Sequence, residues 1–170
     1  MLTLFRSRTE SYYYDEHRRI QGKYRSFSYV TEELLSTITY VDNIRHGEFQ
    51  TYFDSGEVKM RGTFINDEIS GPLIAYFVDN TIREENTYEH GKLHGVTKGY
   101  YLNGNMHYNC TYHRGNLHKE CIWYDTDGNE EQATYYWHGT DLNIHPSLLT
   151  EGDKMYIAMS GRLPLDKCGV

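Results

Sequence analysis

YEHGKLHG, residues 88–95, sets two glycines and two histidines behind a tyrosine, a composition that suits a phosphate-cradling loop, a metal site or a plain turn. Recurrence separates these readings, because a catalytic loop is normally written once and an architectural turn as often as the architecture needs it. Stepping by 24 from Tyr40 gives Phe64, Tyr88, Tyr112 and Tyr136 with no gap inserted. Tyr52, Tyr76, Tyr100 and Tyr124 obey the same step, as do Thr39, Thr63, Thr87 and Thr111. Gly47, Gly71 and Gly95 form a column that continues as Lys119; Gly91, Gly115 and Gly139 form another. In a third, Gly56, Gly104 and Gly128 leave one place to Asn80. The period holds from about residue 39 to 139, with a degenerate earlier unit around RIQGKYRSF, so the chain is a repeat array.

Each unit reads as two strands. GEFQTYFDSGEVKMRGTF (residues 47–64) is two β-rich runs on either side of DSGE, and VDNT and LNGN stand at the same place in the next units. Pairing Phe53 with Val58 across that turn sets Thr51 opposite Met60 and Phe49 opposite Gly62. One face then carries Phe49, Thr51, Phe53, Val58, Met60 and Phe64, and the other Gln50, Tyr52, Lys59, Arg61 and Thr63. The same register pairs Phe77 with Ile82, Tyr101 with Met106, and Gly99 with Tyr108, so that large residues meet small ones; in the last unit it sets Asp125 against Glu130. The expected fold is all-β: ten strands in an antiparallel meander, about 45–50 Å long at 4.8 Å per strand. The boundaries follow as an N-terminal segment with a degenerate first repeat (1–22), the array (23–142) and a non-repeat C-terminal cap (143–170).

The tail LLTEGDKMYIAMSGRLP predicts a short helix, with Thr150 as N-cap, Asp153 three residues on, Gly161 as the stop and Pro164 beyond. Its apolar side is expected to cover the last repeat or to pack on a second copy.

With this period and spacing, YEHGKLHG followed by YYLNGN, and YHRGNLHK followed by WYDTDGN, resemble MORN repeats in a slightly longer variant form. The run TEGDKMYIAMSGRLP is similar to the tails of repeat proteins encoded by large DNA viruses that infect amoebae. The MORN resemblance implies an elongated antiparallel sheet of tandem hairpins that mediates protein association, often homodimerisation, or attaches to membranes, without chemistry of its own. The glycines at 47, 71, 91, 95, 115 and 139, with Tyr88 and Tyr112, are its structural motif. The chain departs from the pattern at Ser70, where His46, His94 and His118 have histidine, at Lys119, and at Asp67, which lacks the turn glycine.

GKLHG joins two strands, whereas a phosphate loop feeds a helix N-terminus and carries GKS or GKT. Equivalent histidines in adjacent units stand two strands apart, roughly 9–10 Å, too far for His94 and His118 to share an ion. His90 with His94, or His113 with His118, can pair within one turn, but the sequence singles out no further ligands, so no metal or other cofactor is expected. Cys110 and Cys121 fall on neighbouring strands with apolar-face parity, where cysteine acts as a small hydrophobe. With Cys168 they make an odd number without CxxC spacing, and reduced thiols are expected. No catalytic group stands out, and about 30 residues after the array leave no room for an enzyme domain. The candidate binding surface is the polar face, with Tyr52, Tyr76, Tyr100 and Tyr124 in a ladder and Lys59, Arg83 and His107 across from the first three, the composition of a contact surface.

The chain has 170 residues, a formal charge of −7, a hydrophobic fraction of 38% and 17 tyrosines. Its apolar material is aromatic, which suits half-buried strands. The charge opposes nucleic-acid binding. Arg6, Arg8, Arg18, Arg19, Lys23 and Arg25 are interleaved with Glu10, Asp15 and Glu16 and read as a solvated face. No segment approaches the roughly 20 apolar residues of a membrane span, and MLTLFRSRTE is too short for a secretory signal. The expectation is an intracellular, soluble, non-enzymatic scaffold that binds an unidentified protein and itself. The alternative is a peripheral phospholipid binder, which the net charge disfavours.

Overall fold

A computed structural model of the chain describes residues 1–167. The fold is all-β, an antiparallel meander of fifteen strands among the described residues, with one short α-helix near the C-terminus. Two compact units divide the chain, Met1–Lys92 and Leu93–Val170.

The first unit holds β1 (Thr3–Arg6), β2 (Glu10–Tyr14), β3 (Ile20–Phe27), β4 (Leu34–Val41), β5 (Ile44–Tyr52), β6 (Val58–Ile65), β7 (Glu68–Ile69), β8 (Gly71–Tyr76) and β9 (Ile82–Glu89). The two-residue β10 (Lys92–Leu93) falls at the boundary. The second unit holds β11 (Gly95–Tyr100), β12 (Met106–His113), β13 (Asn116–Tyr124), β14 (Glu130–Trp137) and β15 (Thr140–Asp141), then the helix α1 (Glu151–Ser160). The count exceeds ten for two reasons. Two strands precede the array, with Phe5 stacked on Tyr12 and Tyr12 on Tyr24 at 4.8 and 5.5 Å between ring centroids. Inside the array, residues with positive φ, such as Gly71 and Gly95, set short pieces apart from the strands that follow.

The register matches expectation in the body of each hairpin and departs from it near the turn. Phe49 faces Gly62 and Thr51 faces Met60, but Tyr52, not Phe53, faces Val58. The Phe53 N–H donates to the Glu57 carbonyl and the Gly56 N–H to the Phe53 carbonyl, both at 2.9 Å, with Gly56 at φ +94°. This is a three-residue loop closed by a left-handed residue, and Lys59 is the extra residue of the resulting bulge. The same correction recurs in the other units: Tyr76 faces Ile82, Tyr100 faces Met106 and Tyr124 faces Glu130. Asn80 takes the left-handed place of the missing glycine at φ +66°.

The two-residue turns stack on one another. N–H groups of Asp67, Gly91, Gly115 and Gly139 donate to the carbonyls of Arg45, Ile69, Leu93 and Leu117, which is why this column has one backbone shape and favours glycine. Asp67 meets the requirement differently, at φ +68°: its carboxylate accepts from the Arg45 backbone N–H and from Nε at 3.0 and 2.9 Å.

Alternation decides which face is buried. Phe49, Phe64 and Leu73 form the core of the first unit, with Ile38, Met60, Ile69 and Tyr88 packed against them. In the second unit Ile157 of α1, fully buried, packs with Tyr135, Ile144 and Leu149, so the helix covers the last repeat of its own chain. Its ends are as expected: Thr150 and Asp153 form a reciprocal capping box, and Gly161 closes the helix at φ +70°.

Candidate interaction face

Bulges and turns decide what the polar face presents. Because the bulge sets Val58, Ile82 and Met106 opposite the tyrosine column, Lys59, Arg83 and His107 do not stand across from Tyr52, Tyr76 and Tyr100 as expected. Lys59 instead lies over the Phe53 ring at 5.7 Å, and Arg83 Nε is 3.8 Å from Glu84. In the first unit the cation over a ladder tyrosine is Arg61, 5.6 Å from the centre of the Tyr76 ring, while the Tyr52 hydroxyl donates to Gln50 at 2.8 Å. Beside Tyr76, Gln50, Val58, Arg61 and Asn80 line a hollow of about 190 Å³.

In the second unit Tyr100 and Tyr124 are half-buried. The Tyr101 hydroxyl donates to the Tyr124 carbonyl at 2.8 Å. His107 packs on Tyr101 at 4.4 Å and on Trp123 at 5.4 Å, and Tyr108 on Trp123 at 5.1 Å. Trp123 keeps 37% of its surface exposed. This cluster was not anticipated; Trp123 pairs with Tyr108 as Cys121 does with Cys110, so it lies on the face of the buried cysteines and not on that of Tyr100 and Tyr124.

Two of the N-terminal cations have carboxylate partners. Arg8 pairs with Glu32 and lies over Tyr29, and Arg19 pairs with Asp15 at 2.7 Å. Backbone N–H groups of Arg19 and His17 and the Arg19 guanidinium hold the Asp15 carboxyl down at about 2. Burial, with the hydroxyl donating to Glu10, pushes Tyr24 up to about 12.

Two further features surround the turns of the second unit. Cys110 and Cys121, buried and directly opposed, are joined as a disulfide. This corrects the expectation of reduced thiols: facing positions on neighbouring strands bring the side chains together, which an odd cysteine count could not reveal. Cys168 lies outside the described residues. The second feature is a row of imidazoles: His94 and His113 have centroids 4.9 Å apart, His113 and His118 5.4 Å, and His118 and His138 4.8 Å. Burial first, then His138, His113 and Lys119, hold His118 below the ordinary histidine value. Turn stacking brings His138 in, and its backbone N–H donates to His118 Nδ1 at 3.4 Å.

No described helix is long and apolar enough to cross a membrane. No protein-family model matches the chain, and no curated protein matches it. Among solved structures, TarM superposes with a TM-score of 0.35 and 15% identity over 65% of this chain and 19% of that chain. A mutant of S. aureus TarM in complex with fondaparinux, alpha-GlcNAc-glycerol and UDP gives 0.33 and 16% over 69% and 21%. The chain thus spans about a fifth of the length of these proteins, and a superposition of this quality carries no argument about function.

Proposed function

We propose that this chain is a non-enzymatic interaction module of the MORN-repeat type, and that its polar face binds another protein. The observation that carries the reading is the hollow beside Tyr76, where a half-buried ring under the Arg61 guanidinium adjoins Gln50 and Asn80. An aromatic ring, a cation and amide groups around a shallow receptacle suit the capture of a partner side chain.

Affinity co-purification from the source cells at physiological salt tests this, comparing the intact chain with the Tyr76→Ala/Tyr100→Ala variant. A protein enriched by the first and lost with the second supports an adaptor. An identical protein set with both, in a variant that melts normally, removes the polar-face reading. Homodimerisation belongs to the same proposal, and light scattering that reports a monomer throughout the micromolar range counts against it. The Cys110–Cys121 disulfide weighs against a reducing compartment, and so against the expected cytoplasmic setting.

A further inference from the structure

We infer that the outer edge of β1 pairs antiparallel with the same edge of a second copy of this chain, about a two-fold axis at Phe5. The inference rests on the self-association proposed above and assigns it an interface. β1 is the terminal strand of the sheet order and pairs with β2 alone among the described strands. All four of its residues are exposed. The helix covers the last repeat, whereas this first strand has no such cover among the described residues.

Register decides which backbone groups are open. β1 and β2 pair Thr3 with Tyr14, Leu4 with Tyr13, Phe5 with Tyr12 and Arg6 with Ser11, and the Ser7 N–H donates to the Glu10 carbonyl at 2.8 Å. Hydrogen-bonded and non-hydrogen-bonded pairs alternate along an antiparallel ladder, so Ser7, Phe5 and Thr3 turn their N–H and C=O groups toward β2. Leu4 and Arg6 turn theirs outward. Native edges are commonly blunted by proline, lysine or a bulge; TLFR has neither residue and pairs with β2 without a shift of register.

Pairing about Phe5 satisfies the open groups and matches the side chains. Leu4 of each copy faces Arg6 of the other, and each such pair exchanges both backbone hydrogen bonds. The arginine stem then lies beside leucine, and no two like charges stand directly opposed. Thr3 faces Ser7, hydroxyl to hydroxyl. At the axis Phe5 meets Phe5 as a non-hydrogen-bonded pair, the kind in which side chains are closer. Phe5 is the open end of an aromatic row that continues through Tyr12 and Tyr24 to Tyr40, with successive centroids 4.8, 5.5 and 5.9 Å apart, and it remains 38% exposed. A second copy is the occupant that this row calls for, because its Phe5 brings a ring to the place where the row ends. The two-fold axis makes the contact isologous and closes it at a dimer.

The full-length chain carrying Cys168→Ser is followed by light scattering and sedimentation through the micromolar range, and a dimer is expected. Leu4→Pro removes an N–H that β2 does not use, so β1 stays paired within its own chain. It is expected to weaken the dimer by about tenfold or more, since the axis removes a bond from each copy. Far-UV circular dichroism confirms that the sheet is kept. Under mild oxidation Phe5→Cys is expected to link two chains, and Thr3→Cys and Leu4→Cys, each set away from its own copy by the axis, are not. A monomeric parent would remove self-association and this interface together. Undiminished affinity in Leu4→Pro, or no preference for Phe5→Cys in the linking, would overturn the interface and leave self-association standing.

Discussion

Gly99 lies beneath the ring of Tyr108: the two are paired across β11 and β12, and a Cβ on Gly99 would overlap the ring. The first unit repeats the arrangement, since a Cβ on Gly62 would lie 2.8 Å from Leu73 and 2.9 Å from Phe49. In this thin sheet, packing rests on rings laid over glycine rather than on a deep core.

Gly99→Ala is therefore expected to destabilise the chain by about 1–3 kcal/mol, as overpacking does elsewhere. Urea unfolding followed by tyrosine and tryptophan fluorescence measures it. A change under half a kcal/mol would mean that Tyr108 moves aside freely.

The helix should behave as a structural cap. Ile157→Ala removes a fully buried side chain and is expected to cost about 2–5 kcal/mol. Met159→Ala, at a position 81% exposed, should stay within about 0.5 kcal/mol of the parent. Equal losses in the same urea experiment would show that the helix does not pack as described.

Lys119 stands where earlier units have Gly47, Gly71 and Gly95, and it keeps their left-handed backbone at φ +66°. A non-glycine residue pays about 1–2 kcal/mol there, against about 0.5–1 kcal/mol for the greater freedom of glycine in the unfolded chain. Lys119→Gly should raise stability by about 0.5–1 kcal/mol, read from the denaturation midpoint at constant slope.

Asp15 predicts a pH dependence. Its folded-state value of about 2 lies below the ordinary 3.8, so ionisation favours the folded state. Its contribution is complete above about pH 4 and disappears as pH falls toward 2. Asp15→Asn should melt below the parent at pH 7, and the gap should close between pH 4 and pH 2. A gap independent of pH would assign the effect to the turn's shape instead of its charge.

The disulfide predicts a thiol count. Alkylation of denatured, unreduced protein should modify one of the three cysteines, Cys168, and prior reduction should expose all three. For a bridge spanning 11 residues of sequence, reduction should cost about 3 kcal/mol on loop entropy. Three reactive thiols before reduction would contradict the bridge.

Much of this protein is determined by sequence alone, because turns, strands and caps are local matters written in residue types at a fixed spacing. The 24-residue columns, the all-β hairpins, the pairing of Phe49 with Gly62 and of Gly99 with Tyr108, and the box from Thr150 to Asp153 all followed from it. Tertiary structure decided the rest. The bulge at Lys59 depends on how a left-handed Gly56 closes its loop, and it moved the basic residues away from the tyrosine ladder. Whether Cys110 bonds Cys121, and whether His138 joins His113 and His118, depends on which side chains stacked strands and turns bring face to face. A column in the sequence records what recurs along the chain; contact runs sideways, between columns, and only the folded sheet determines which of them meet.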